Sequence, residues 1–443
     1  MRLEKYVKMG ERIGLSEVEI AVRRISSISI DVEMGEIKGA TSIVSEHLIV
    51  RGLIGKRLGL YHSDRVDETE LEKAIKRVYE IARNNQPDER WVSLPDPAPY
   101  GEEVSWDREI SETPPERYVE FIERAFKLVA ERDPRALIAF ASSGCSYGFV
   151  RILNSRGVDF RDSDGISAIG IGLIGSGEGI STPLIMGFSF SRTVRPGVEA
   201  AVEEALLKLK HAYRAKRGKT EEADVIMDPR ALEELLRFTL IPAIAGENVV
   251  RGKSPLAGKI GSKIASEVLT IMEDPSLPNA FSSARGDDEG IPTSKKVIIE
   301  GGVLRTFIWD NYWAKVKGVK PTGNGFRNWQ SGSVSTRPTN LVIKPGEKTL
   351  EDLIGEVRRG YYVAGLQGAH SSNPDTGDFS VVANPAFLIE DGEIKGLALG
   401  VMLGGNIYKL LEHTAHVARD PVYGWNLVSP AVLFREVAIA SKG

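Results

Sequence analysis

Near the start of the chain, apolar and polar side chains alternate. Val18, Ile20 and Val22 are set against Glu17, Glu19 and Arg23, then Ile28, Ile30 and Val32 against Ser29, Asp31 and Glu33. A period of two is the repeat of a half-buried strand, and slipping it by one residue would turn the whole apolar set toward water. The pattern therefore predicts antiparallel strands here and excludes an all-helical fold. Further strands are expected through His47 to Tyr61, ahead of a helix opened by Asp67 three residues before Glu70, a capping pair. Leu71, Ala74, Ile75, Val78, Tyr79 and Ala82 keep to one face of that helix.

The order then repeats. A proline-rich polar stretch, about Asn84 to Pro115, reads as a linker or extended crossover. Thr113 and Glu116 stand at capping-box spacing, with proline in the first turn of a helix that lines up Tyr118, Phe121, Ile122, Ala125, Phe126 and Val129. Strands follow from Leu137 to about Arg192, and a helix from Pro196 to about Arg217. From Glu221 onward short strands and glycine turns take over: a strand at Val225–Met227, a helix start at Asp228-Pro229 and a stop near Pro242. Hairpins are expected at Gly301-Gly302 and Asp391-Gly392, and an inserted helix from Val401 to Val417. The fold class is α+β: two N-terminal α+β units (1–90 and 116–218, joined by a 91–115 linker) and a β-rich, barrel-like C-terminal domain (219–443) with inserted helices.

Composition narrows the partners. At 443 residues the chain is too long for one core. Its 61 acidic and 57 basic residues give a formal charge of −4, so no global field draws in nucleic acid or an anionic membrane. One cysteine, Cys145, allows neither an internal disulfide nor a multi-cysteine metal site. The N-terminus has no signal-peptide pattern. The longest uncharged runs, Gly165 to Gly177 and Gly179 to Ser191, are too short to span a bilayer and read as buried strands. A cytoplasmic setting is expected.

Chemical motifs are sparse. Gly170-x-Gly172-x-x-Gly175 lies inside a strand-like run instead of at a strand-to-helix turn, so it favours close packing over a dinucleotide site. Cys145 has no visible base to activate it. Serine-hydrolase signatures are absent. Of six histidines, only His413 and His416 stand at helical spacing, with Asp420 a turn further, and no His-Glu-x-x-His occurs. Asp287-Asp288-Glu289 ahead of Gly290 and Pro292 is either an acid/base or cation cluster or a solvated turn. Thr322 to Asn328 is a glycine loop that lacks the ending of a phosphate-binding loop and either binds a peptide backbone or simply turns.

Taken in order, Asp288-Glu289-Gly290-Ile291-Pro292-Thr293, Ile299-Glu300-Gly301-Gly302, Thr322-Gly323-Asn324 with Arg327, Asn340-Leu341-x-Ile343-x-Pro345-Gly346, Thr376-Gly377-Asp378-Phe379-Ser380, the Ile389 to Ile394 turn and Gly404-Gly405-Asn406 resemble the TldD/PmbA family, whose members are often labelled modulators of DNA gyrase. Val50-x-Gly52 with Gly55 and Gly59, and Ile152-Leu153-Asn154-Ser155-x-Gly157, extend the resemblance upstream. In that family TldD-type chains carry a His-Glu-x-x-x-His zinc motif and a late cysteine ligand, and PmbA-type (TldE) chains lack them. The corresponding stretch here, Leu240 to Asn248, has no histidine, and Pro421 to Pro430 has no cysteine.

The resemblance therefore implies a PmbA/TldE-type subunit of a metallopeptidase complex acting on unfolded or small peptides and peptide precursors. No cofactor is expected in this chain, and zinc is expected in a TldD-type paralogue with which it pairs. The alternatives are a peptide-binding modulator homodimer with no hydrolytic role and a stand-alone hydrolase using Asp287 to Glu289 or His413, His416 and Asp420. Asp288, Glu289, Asn324, Arg327, Asp378 and Asn406 are the residues expected to contact substrate or partner.

Overall fold

A computed structural model describes residues 2–177 and 180–441. The alternation at the start becomes one long strand, β1 (Glu17–Glu33), preceded by α1 (Glu4–Arg12) and paired antiparallel with β2 (Glu36–Ile54). β3 (Arg57–Ser63) continues the meander, and α2 (Glu68–Asn84) packs on it. Asp67 caps α2, its carboxylate accepting from the Glu70 amide at 2.8 Å. Ile20, Leu48, Val50 and Leu153 pack with α1 and α2, whereas Ala21, Ile49 and Ile152 join a separate apolar cluster on the other face with Trp329. Both faces are therefore buried around these residues, while the β1–β2 hairpin end of the sheet stays exposed. Glu19 of β1 lies inside the molecule and not, as alternation alone suggests, in solvent, whereas Arg24 and Glu33 remain exposed.

The second unit begins with α3 (Pro115–Arg132), then β4 (Ala136–Asn154), β5 (Asp159–Gly177), β6 (Ile180–Ser181), β7 (Ile185–Ser191) and α4 (Val198–Ala212). Thr113 does not cap α3: its hydroxyl donates to the Glu109 carbonyl at 2.7 Å, closing the preceding 3-10 turn, and Pro114 takes the cap position. β4 pairs with β1, so strands of both units form one seven-stranded antiparallel sheet. Gly170, Gly172 and Gly175 lie within β5, and Cys145 is buried within β4. Gly179 lies outside the described residues. The stretch between α2 and α3 is a strap that touches both halves of the molecule: the Pro95 carbonyl accepts from Asn154, the Ser93 carbonyl accepts from Asn311, and Tyr100 donates to the Gly290 carbonyl.

C-terminal to α4, β8 (Ala215–Arg217) and β9 (Glu221–Met227) enter a ten-stranded sheet that also contains Arg359–Val363, Ala386–Glu390, Glu393–Leu399 and Val432–Ser441. Ala215–Arg217 and Leu366–Gln367 are its two edges, so the sheet is open, and barrel-like closure is not realised among the described residues. The reason is that both faces are already covered. Val225 and Met227 point into a core with α5 (Pro229–Phe238), while Ile226, Tyr362, Phe387 and Leu433 share a core with α3, α4, β4 and β5. Helices α3 and α4 thus lie between two sheets, and no strand edge has to roll round to hide an apolar face.

The Gly301-Gly302 and Asp391-Gly392 hairpins form where expected, and at both the two turn residues have positive φ (53° and 76°; 51° and 75°). Pro242 does not stop a helix. It is the third residue of the short α6 (Leu240–Ile244), where a backbone N–H would have no intrahelical partner in any case. The expected Val401–Val417 helix is instead a strand (Val401–Asn406), one helical turn and a half (Ile407–Glu412) and another strand (Thr414–Val417). Pairing with Asp378–Val382 and with Val432–Ser441, distant in sequence, overrides the local helical pattern. No helix among the described residues is long and apolar enough to cross a membrane.

A charged clamp ties α4 to α5. Arg230 donates to Glu204 at 2.8 Å and to the Phe188 carbonyl of β7, and Lys208 bridges Glu204 and Asp228 at 3.0 and 3.1 Å. Burial opposes the Glu204 charge, but Lys208 and Arg230 outweigh it and hold its pKa down at about 2 instead of the ordinary 4.5. A depressed carboxyl contributes stability above its unfolded pKa and loses it as pH falls through the folded value, on the order of 3 kcal/mol here. We predict that Glu204→Gln lowers the unfolding free energy at pH 7, and that its deficit relative to wild type shrinks toward zero as denaturation is followed from pH 5 to pH 2.

Candidate functional site

Glu19 of β1 stands directly opposite Arg51 of β2 in the sheet register, and both are buried. Two charges in such a place need partners, because desolvation alone would expel them. Two C-terminal segments supply them: the Asp287–Ile291 turn and the strand Gly325–Arg327. Arg51 Nη2 donates to Glu19 Oε2 at 2.9 Å and to Glu289 Oε1 at 3.1 Å, and Arg327 Nη2 donates to Glu19 Oε1. The result is an alternating chain, Arg327–Glu19–Arg51–Glu289, running from one half of the molecule to the other. Burial opposes the Glu19 charge, and Arg327 and Arg51 together overcome it and keep the carboxyl below its ordinary value.

The acidic turn is built into this network and is not solvated. Asp287 accepts from the amides of Glu289, Ile291 and Gly325 at 2.8–2.9 Å. Burial, then Glu289, pushes its pKa up. Glu289 Oε2 accepts from the Asn311 amide at 2.8 Å. Gly325 is required where it stands, since a Cβ there would lie 2.5 Å from Glu289 Oε2. Asp310 at the start of the next helix caps the Trp313 amide and accepts from Thr336, and burial followed by Glu289 raises it to about 6.

Next to this network lies a cavity of about 760 Å³ between the β4–β5 face of the seven-stranded sheet and the C-terminal loops. Phe188, Phe281 and Trp425 form one wall, with ring centroids 5.1 Å (Phe188–Trp425) and 4.4 Å (Phe281–Trp425) apart. Arg23, Arg337, Asp162, Asp164 and Asp288 supply charge. Arg23 lies over the Trp329 ring and Arg337 over Phe326, at 5.5 and 4.3 Å. Among the described residues neither guanidinium has an ion-pair partner within 4.0 Å. Burial lowers both pKa values, with Asp288 opposing in each case. Arg192 is spent otherwise: it pairs with Asp164 and donates to the carbonyls of Ala280, Phe281 and Ser283, fixing the loop that carries Phe281 of the aromatic wall.

The six residues singled out in the sequence fall into three groups. Asp288 lines the cavity and accepts from the Arg327 amide at 2.9 Å. Glu289, Arg327 and Asn324 are buried beside it in bonding roles, Asn324 donating to Glu273 at 2.8 Å and accepting from Thr322. Asp378 and Asn406 pair across a different sheet, where Asn406 donates to Asp378 at 2.8 Å and caps the Tyr408 amide. Sequence reasoning missed Arg23, Arg192, Arg337 and Trp425. The signal for Arg23 was present, since Glu19, Ala21 and Arg23 share one face of β1, but that face reads as solvent until the C-terminal loops are placed on it.

His413, His416 and Asp420 do not form a site. His413 caps the Ile407–Glu412 helix and lies 3.7 Å from Glu436, whereas His416 is on the following strand, 3.2 Å from Glu356 and 3.1 Å from Lys348. In the Leu240–Asn248 stretch, α6 and α7 (Gly246–Val250) offer Glu247 as the one ionisable donor, and it is ion-paired with Arg251 at 3.0 Å. Asn248 is bonded to the Pro242 carbonyl, and Trp309 fills the space over Gly246, where a Cβ would lie 1.9 Å from the indole. This donor set does not fit a zinc ion. Cys145, the chain's one thiol, lies in β4, and burial raises its pKa.

Removing one partner from a buried charge network leaves the rest uncompensated, at about 3–5 kcal/mol. Arg327→Ala is predicted to cost that much in denaturant unfolding, whereas Asp378→Ala, exposed and holding a turn, leaves the melting temperature close to that of wild type.

Residues 220–441 match the PmbA/TldA metallopeptidase C-terminal domain, and residues 18–82 match domain 1 of the same family. The crystal structure of TldE from Thermococcus kodakarensis superimposes with a TM-score of 0.95 at 41% identity, covering 99% of this chain and 100% of that one. An uncharacterised protein of Methanocaldococcus jannaschii is 30% identical over 98% of this chain and 99% of its own length. A metalloprotease PmbA homologue of Haemophilus influenzae is 24% identical, over 98% of this chain and 94% of its own. With a family domain covering half of its length and these relatives matching nearly all of it, the chain belongs to the PmbA/TldD family.

Proposed function

We propose that this chain is the TldE-type subunit of a cytoplasmic TldD/TldE-type peptidase, in which a separate TldD-type chain carries the zinc and this one holds the peptide. The observation that carries the reading is the donor set of Leu240–Asn248: no histidine, no cysteine, and a single carboxylate already paired with Arg251. Without nitrogen or sulfur ligands there is nothing to fix a metal that would activate water or polarise a scissile carbonyl.

The cavity supports the second half of the reading. Its volume admits several residues of an extended peptide, and its aromatic wall accepts apolar side chains without selecting a particular one. Arg23 and Arg337, lacking ion-pair partners among the described residues, receive a carboxylate. Beside them lies the two-stranded sheet of Gly325–Arg327 and Val334–Thr336; the Gly325 and Arg327 amides are taken by Asp287 and Asp288, which leaves the Val334–Thr336 edge for a peptide backbone to add to through main-chain hydrogen bonds. Substrates of this description are unfolded or small peptides.

The test is a peptidase assay on unfolded peptides with this chain alone, with a TldD-type chain alone, and with both. The reading predicts no cleavage from this chain alone and more from the mixture than from the TldD-type chain. Cleavage by this chain alone that survives a chelator contradicts it, and peptide binding with no effect on any TldD-type chain favours a modulator homodimer. With Arg23→Ala and Arg337→Ala combined, affinity for peptides ending in a free carboxylate is predicted to fall about tenfold, equivalent to about 1.4 kcal/mol, while amidated peptides bind as before.

A further inference from the structure

The β2–β3 hairpin brings two histidines and an aspartate onto one face by register alone. Leu48 pairs with Ser63 and Ile49 with His62, so one further step places Asp64 opposite His47. His47 lies two residues from Ile49, and Asp64 two residues from His62, which puts all three side chains on the same side of the pleat. Nothing local in the sequence marks this grouping, because the two histidines are on different strands.

The distances are those of a ligand set. His47 Nδ1 lies 3.1 Å and His62 Nε2 3.2 Å from the same oxygen, Asp64 Oδ1. Ligand atoms from the three residues all fall within 4.8 Å of one another, the one such group of histidine, cysteine and carboxylate donors among the described residues. A tetrahedron with metal–ligand bonds of about 2.0–2.1 Å has edges of about 3.3 Å, so two of the three edges are already at length. His62 Nε2 is buried and makes no hydrogen bond among the described residues despite its approach to Asp64. A buried ring nitrogen that meets a carboxylate without hydrogen-bonding to it calls for an explanation, and a metal shared by the two supplies one.

The surroundings agree. The His47 and His62 rings are stacked at 5.9 Å, and Trp329, on the C-terminal loop laid over this face, lies 6.5 Å from His47. Trp329 is 7% exposed and among the described residues its indole N–H has no hydrogen-bond partner; as a donor it cannot ligate the ion but is available to water bound to it. Two imidazoles and one carboxylate are a borderline donor set, suited to zinc and similar transition ions and poorly suited to magnesium or calcium, which take oxygen.

We propose that His47, His62 and Asp64 form a transition-metal site, zinc(II) being the ion of choice, with water completing the coordination. All three ligands belong to the β2–β3 hairpin, so the ion clips the end of β3 to β2 next to Trp329. The inference is independent of the peptide-binding reading.

The experiment uses the full chain without a histidine tag, stripped with chelator and dialysed against micromolar zinc(II), with bound metal measured by atomic absorption. One zinc per chain is expected, together with a rise in melting temperature. His47→Ala, His62→Ala and Asp64→Asn should each weaken binding by tenfold or more and abolish the rise, whereas His413→Ala and His416→Ala change neither. Asp64 is 75% exposed, so its isosteric replacement tests ligation without disturbing the fold. No stoichiometric zinc, or zinc retained undiminished in His62→Ala and Asp64→Asn, overturns the site.

Discussion

The structure depends on a charge network that no single domain can satisfy. Glu19 and Arg51 come from the first two strands, and Glu289 and Arg327 from loops more than two hundred residues away. Each is buried on its own element and compensated only on another. Docking of the C-terminal loops on the N-terminal sheet buries the Glu19–Arg51 pair and at the same time supplies Glu289 and Arg327 to complete its charge balance, so burial and compensation arrive together. The donors without a hydrogen-bond partner among the described residues, Arg51 Nε and Arg327 Nη1, show that the fit is specific without being complete. By fixing the Asp287–Ile291 turn and the Gly325–Arg327 strand, the network also sets one rim of the cavity, where Asp288 and Phe326 emerge.

A second constraint acts from the other side. Helices α3 and α4 lie between the seven-stranded and ten-stranded sheets and contribute apolar side chains to a core shared with both. The Glu204 clamp then joins α4 to α5 and engages the Phe188 backbone. Phe188 belongs to the aromatic wall, so the position of that wall is set by the same clamp that ties the two sheets together. The cavity is thus bounded by elements held in place from both ends of the chain.

What was legible in the sequence was what local chemistry decides. The alternation in β1, the Asp67 cap, and the glycine hairpins at 301–302 and 391–392 rest on neighbouring residues and appear where the pattern puts them. What failed depends on partners distant in sequence. Val401–Val417 carries a helical pattern, yet most of it pairs as strands with segments from two other regions. His413 and His416 looked related because they are close in sequence, whereas His47 and His62 are related only through strand register. The family signatures pointed to the acidic turn and the glycine loop, and the structure places Glu289, Arg327 and Asn324 there as supports, with Asp288 alone of the six lining the cavity. Of the arginines that face the cavity, Arg23 shares a face of β1 with Glu19 and Ala21, whereas Arg192 and Arg337 lie just past strand ends and are marked only by what packs against them.

The central claim is that the cavity between β4–β5 and the C-terminal loops is where this chain holds peptide. Hydrogen exchange followed by mass spectrometry, with and without a saturating unfolded peptide, tests it most directly. Slowed exchange is predicted in Phe281–Ala284, which lines the cavity, and in Ser333–Arg337, which carries the adjoining strand edge and ends at the cavity-lining Arg337, with no change at the Thr376–Asp378 turn. Protection confined to the Thr376–Asp378 turn and the Asn406 strand end, with the cavity loops unaffected, would contradict it.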